Sequence, residues 1–205
     1  PKGPLGLIFA FVTPFMIFLL PLSPKSNLAL REASTTSSLL FTALLHVNRK
    51  IMSDIETRLT SMGITLPVAP APAANYVPYV VVGTIVHISG QISMTASGLT
   101  LGCLGKDLTT AQGAEAAKSC AISLLAQLRA ACGGDLSRVK RAIKLVGFVN
   151  STADFTEQPK VINGASDFLV DVMGDAGRHA RSAVSAASLP LGVAVEIEGM
   201  FELHS

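Results

Sequence analysis

Residues 193–203 read VAVEIEGMFEL, and this alternation constrains the fold more than any other stretch of the chain. Val193, Val195, Ile197, Gly199, Phe201 and Leu203 point one way, and Glu196, Glu198 and Glu202 point the other. Such a segment is a strand with one buried face, and that face needs a cover. Two amphipathic helices supply it. Thr109 to Cys132 carries Ala117, Cys120, Ala121, Leu124, Leu125 and Leu128 on one stripe, and Gly133-Gly134 ends it. Gln158 to Met173 carries Val161, Ile162, Phe168, Leu169 and Val172 as its inner face. Further strands are expected at Val77–Ser93, a hairpin broken at Gly83-Thr84, at Val139–Val149 and at Arg181–Ala187. Leu99 to Asp107 reads as a loop. The order β-β-α-β-α-β-β predicts an α+β sandwich, one mixed β-sheet with two helices packed on one face. Hydrophobic residues at 49% and charged residues at 15% suit a well-filled core.

The chain before this domain has a different grammar. Leu5 to Leu22, LGLIFAFVTPFMIFLLPL, has no charge and is long enough for a marginal membrane span, but Pro14 and Pro21 weaken it as a helix. Met52 and the following SDIETRLTSMGI read as an ordinary start, with Ser53 as a helix cap and Ile55 and Leu59 one turn apart. Residues 1–51 are therefore expected to lie outside the functional domain, as an upstream reading-frame extension, a signal or a membrane anchor. Residues 52–74 hold a short helix and the stiff Pro/Ala linker LPVAPAPAA, and 75–205 form the domain. The extension holds Lys2, Lys25, Arg31, Arg49 and Lys50 against Glu32, a net +4. The remainder, with 11 basic and 13 acidic residues, is net −2 and lacks the basic footprint of a nucleic-acid binder.

Cys103, Cys120 and Cys132 are odd in number and widely spaced, which suggests neither a disulfide framework nor a zinc site. Reduced thiols point to the cytoplasm, with a membrane-anchored or exported protein as the alternative if the apolar 5–22 stretch is genuine. Histidines 46, 87, 179 and 204 have no metal-ligand spacing, and the phosphate-loop, dinucleotide, nucleophile-elbow and zincin motifs are absent. His87 reads as a core or edge residue of its strand. Ser89 has no base near it in sequence and is not read as a nucleophile. GRHARSAV (177–184) places Arg178, His179 and Arg181 at the mouth of an otherwise apolar strand, which is either a solvated loop or an anion site. If that strand paired with the last one, Arg181 and one of the glutamates would share a pocket.

VPYVVVGTIVHISGQIS, KLVGFVNSTADFTEQPKVINGASDFL, GRHARSAVSAASLP and VAVEIEG together resemble the Rid family, the YjgF or L-PSP endoribonuclease-like reactive intermediate deaminases. The match spans about residues 69–203 and has the look of a divergent subgroup. The resemblance implies a chorismate-mutase-like fold and a homotrimer with clefts between subunits. It also implies hydrolysis of enamine and imine intermediates of the 2-aminoacrylate type to 2-keto acids and ammonia, with no metal or organic cofactor. It makes Arg181 the grip on the substrate carboxylate and Glu196 the residue that activates water, and it puts Tyr79, Ser89, Gly90 and Asn163 around the substrate. The residue types suit these roles: a guanidinium holds a carboxylate by two parallel hydrogen bonds, and a partly buried carboxylate can take a proton from water. Ala183 stands where many members carry a cysteine. The alternative is thus a non-catalytic trimer that binds small carboxylates. A ribonuclease ranks third, because the domain is slightly acidic.

Overall fold

The computed structural model describes residues 54–69 and 75–205. The 1–51 extension with its apolar stretch, the Ser53 cap and linker residues 70–74 lie outside the described residues. No helix among the described residues is long and apolar enough to cross a membrane.

Helix α1, Asp54–Ser61, has Asp54 and Glu56 at its start and Arg58 near its end, which complements the helix dipole, and it buries Ile55 and Leu59. Strands β1 (Tyr79–Val82) and β2 (Ile85–Ile92) form the expected hairpin across Gly83-Thr84. A second, shorter hairpin follows, β3 (Met94–Thr95) against β4 (Gly98–Leu99). It takes in the start of the stretch read from sequence as loop. Helix α2 runs Thr110–Ala131. Its limits follow from local chemistry. Thr109 Oγ1 accepts from the Gln112 N–H at 3.3 Å, and Gln112 Oε1 accepts from the Thr109 N–H at 2.9 Å, a reciprocal cap that satisfies two otherwise orphaned donors. Strand β5 (Val139–Asn150), helix α3 (Gln158–Met173), strand β6 (Ala180–Ala186) and strand β7 (Val195–Leu203) complete the domain.

The main sheet has the order β1-β2-β7-β5-β6. Every neighbouring pair is antiparallel except β5 and β6, which are parallel and joined through α3, so the sheet is mixed. The apolar residues of β7, together with Val86, Ile88, Leu145 and Val149, are buried on one face beneath α2 and α3. Leu124, Leu125, Leu128, Ile162 and Leu169 are fully buried against them, and each such side chain contributes about 2 kcal/mol on leaving water. The helices approach closely: a Cβ on Gly164 would lie 1.9 Å from the Ala114 carbonyl oxygen, so only glycine fits there. The other face of the sheet carries no helix among the described residues. Val80, Val82 and Val184 stand exposed on it.

One expectation is corrected here. Strands β6 and β7 do not pair, because β5 lies between them. The crossover through α3 sets β6 against one side of β5, and β7 takes the other side while also pairing with β2. The connection between β6 and β7 therefore passes over β5 rather than closing a hairpin. It turns through Leu191 at φ 58° and Gly192 at φ 72°.

Candidate active site

Arg181 and Glu196 each sit in a built environment, but within one chain they do not meet. Arg181 is level with Leu145 on β5, and Leu145 is level with Gly199 on β7, so all three project toward the helices. Glu196 is level with Phe148 and Ile92 and projects from the open face. Two strand spacings and three residues separate their positions, about 10 Å across the sheet and about 10 Å along it. The pocket expected from direct pairing is absent because the register puts the two side chains on opposite faces.

On the helical side, Arg181 Nη1 donates to Asn163 Oδ1 at 2.8 Å and to Ser166 Oγ at 3.1 Å. Asn163 and Ser166 are three residues apart on α3 and so share a face of that helix. Both hydrogens of Nη1 are thereby used. The Nε and Nη2 hydrogens have no hydrogen-bond partner among the described residues. These lie along one edge of the guanidinium, the edge that grips a carboxylate with two parallel hydrogen bonds. Asn163, expected to line the pocket, here orients the arginine. Ala183 lies on the same face two residues further on, level with Gly147, and contributes a methyl group.

On the open face, the ladder between β2 and β7 shifts register between Ile88 and Gln91. This bulge sends Ser89 and Gly90 outward together, while Ile88 and Gln91 are both buried beneath the helices. The Glu196 carboxylate lies over Gly90: a Cβ there would be 2.0 Å from Glu196 Oε1. Glu196 is half-buried and has no hydrogen bond or ion pair among the described residues. Burial, and secondarily the charge of Glu198, hold its carboxyl above the usual carboxylate range. A carboxylate kept unpaired and partly dehydrated is suited to accept a proton near neutral pH.

Ser89 has a structural task. Its Oγ donates to the Val77 carbonyl at 2.8 Å, and its N–H donates to the Pro78 carbonyl at 3.0 Å. It thereby ties the V-P-Y entry to the bulge. Tyr79 is level with Ile88 at the β1 edge and packs against the core. The sheet thus presents Arg181 and Asn163 near one edge, and Tyr79, Ser89, Gly90 and Glu196 toward the other. A recess of about 280 Å³ on the open face is lined by His87, Ser89, Lys144, Glu198 and Met200 among others, and includes neither Arg181 nor Glu196. Cys120 is fully buried, and its thiol is pushed far above its ordinary value, chiefly by that burial. It is a core residue, as its place in the helical stripe predicts.

Ser166 escaped the sequence reading, and the cue was its i, i+3 spacing from Asn163. His179, left open between pocket and loop, is tied to the Arg181 cluster through Ser166: Ser166 Oγ and His179 Nε2 are 3.1 Å apart.

Residues 56–202 match the family described as "YjgF/chorismate_mutase-like, putative endoribonuclease". Protein TCP17 of Trypanosoma cruzi is 48% identical over 153 residues, which is 74% of this chain and 95% of that protein. Among solved structures, Atu1372 of Agrobacterium tumefaciens, a protein of unknown function, is 47% identical with a TM-score of 0.69, covering 74% of this chain and 93% of its own. A "putative endoribonuclease" from Shewanella oneidensis is 37% identical with a TM-score of 0.70, covering 73% and 99%.

Proposed function

Because the chain belongs to the YjgF/chorismate-mutase-like family, we propose that it hydrolyses 2-imino acids of the 2-aminoacrylate type to 2-keto acids and ammonia. The reaction takes place in clefts between the subunits of a homotrimer. The observation that carries this reading is the Arg181 guanidinium, fixed through Nη1 and with no hydrogen-bond partner on its Nε–Nη2 edge among the described residues. That arrangement suits a ligand bearing a carboxylate.

The enamine first gains a proton at C3 and loses one from nitrogen, becoming the imine. Arg181 holds the carboxylate, which sets the adjacent imine carbon against a water molecule. Glu196 of another subunit takes a proton as the water oxygen bonds to that carbon, and the C=N π pair moves to nitrogen, which then takes that proton from Glu196. The resulting carbinolamine loses ammonia as its C–N bond breaks, its hydroxyl proton passing to the departing nitrogen and its oxygen becoming that of the ketone. The substrate is intrinsically labile, so positioning and modest base assistance suffice. The opposite placement of Arg181 and Glu196 supports a site shared between subunits, and the sheet face that no helix covers among the described residues, with its exposed valines, supports assembly. The proposal includes a cytoplasmic location, which the three free thiols favour.

The test is coupled imine hydrolysis by the full chain, wild type against Arg181→Ala. Loss of a charge-assisted carboxylate grip is expected to lower turnover at low substrate about 100-fold. No acceleration over the uncatalysed reaction, across a panel of amino-acid-derived imines, ends the reading. Ala183 favours one alternative, a trimer that only binds small carboxylates; calorimetric binding of 2-ketobutyrate without turnover would select it. The ribonuclease label of the relatives finds little support in a domain of net −2. RNA cleavage that survives repurification and is lost in Arg181→Ala would revive it.

A further inference from the structure

We propose that His179 is a positioning residue that fixes the Arg181 guanidinium through the Ser166 hydroxyl, and so sets the affinity of the site for a carboxylate. This rests on Arg181 being the carboxylate anchor. The direction of each hydrogen bond follows from what its atoms can do. His179 Nδ1 is 2.6 Å from the Gly177 carbonyl oxygen. A carbonyl only accepts, so Nδ1 carries the proton. In the neutral ring Nε2 is then a lone pair, and Ser166 Oγ, 3.1 Å away, donates its single hydrogen to it. With that hydrogen committed, Ser166 presents a lone pair to Arg181 Nη1 at 3.1 Å.

The chain of bonds therefore runs one way, from Arg181 through Ser166 and His179 to the Gly177 carbonyl. Burial, followed by the nearby charge of Arg181, lowers the His179 pKa against the opposing Gly177 bond, which keeps the acceptor form in place at neutral pH. Gly177, the fixed end, is itself packed tightly: a Cβ there would lie 2.3 Å from the Leu169 carbonyl oxygen of α3. The relay thus ties the arginine to the junction between α3 and β6. Without His179 the serine hydroxyl is free to rotate and can turn its hydrogen toward the guanidinium. Asn163 then holds Nη1 alone, and the Nε–Nη2 edge loses its fixed aim.

The experiment has two arms on the full chain, with wild type, Ser166→Ala, His179→Ala, His179→Gln and the Ser166→Ala/His179→Ala double variant. The first measures rotation of the Arg181 guanidinium by nitrogen-15 NMR without any ligand. Slow rotation in wild type, faster rotation in both alanine variants and recovery in His179→Gln, whose amide oxygen can accept in place of Nε2, are expected. Unchanged rotation in Ser166→Ala and His179→Ala overturns the proposal. The second arm measures binding of 2-ketobutyrate and of its neutral amide by calorimetry. Each alanine variant is expected to weaken the acid about tenfold and leave the amide unmoved, and the double variant is expected to be no worse than either single one. Losses that add, or that fall equally on acid and amide, overturn it. If wild type binds no 2-keto acid while rotation responds as expected, the deaminase reading fails and the orientation of Arg181 by His179 stands.

Discussion

Replacing Gly90 by alanine is expected to separate turnover from stability. The new Cβ would lie 2.0 Å from Glu196 Oε1, 2.8 Å from Cδ and 3.0 Å from Cγ. Ordinary contact begins at 3.4 Å, so the carboxylate must retreat by about 1.4 Å. The backbone at Gly90 does not have the positive φ that only glycine tolerates, and the obstructing atoms are the far end of a flexible side chain. The domain therefore accommodates the methyl at a cost of about 1 kcal/mol or less. The proposed base, Glu196, does not accommodate it: a displacement of about 1 Å at a reacting group can lower a rate about 100-fold. Steady-state kinetics on an imine substrate should show kcat reduced by that order with KM little changed, because Arg181 stands elsewhere. Urea unfolding should show a nearly unaltered midpoint. In a Glu196→Gln background the same substitution should do nothing further. Wild-type kcat in Gly90→Ala, or a loss that only tracks unfolding, would refute the reasoning.

The raised Glu196 carboxyl makes two predictions about pH. In the proposed role of base it must be ionised, so kcat/KM should fall as pH drops through its raised value; Glu198→Gln removes the secondary cause and should move that acid limb to lower pH. A limb that stays in place would remove Glu196 from the role. The folded state also holds this proton more tightly than the unfolded chain. The stabilisation from protonation is complete below the unfolded pKa and is lost as pH rises through the folded one, so Glu196→Gln should raise Tm at pH 7 and leave it nearly unchanged at pH 3. Gly164→Ala, by contrast, drives a methyl into the Ala114 backbone and should cost about 3 kcal/mol in urea unfolding. A cost below about 1 kcal/mol would mean that α2 and α3 are less tightly apposed.

What the sequence made legible was local. Alternation assigned the buried face of β7 correctly, from Val193 to Leu203, because side-chain parity within a strand needs no partner. The limits of α2 were readable from Thr109 and Gly133-Gly134, since caps act within one turn. Parity between strands is another matter. Whether Arg181 and Glu196 share a face depends on register through β5, which no local pattern records. The adjacency assumed for β6 and β7 failed for that reason: the parallel crossover through α3 is a tertiary choice. Ser166 was hidden in the same way, because its hydroxyl gains meaning only once β6 lies beside α3. Of the residues that the family resemblance puts around the substrate, Ser89 and Asn163 also make hydrogen bonds that the fold uses for support.

The central claim is that the carboxylate anchor and the base come from different copies of the chain, and subunit mixing tests it most directly. Arg181→Ala and Glu196→Gln should each be nearly inactive alone. Unfolded and refolded together in equal amounts, they should regain roughly a quarter of wild-type imine hydrolysis, because one interface in four pairs an intact Arg181 with an intact Glu196. No regain of activity, from a mixture shown by mass spectrometry to contain mixed trimers, would contradict the account.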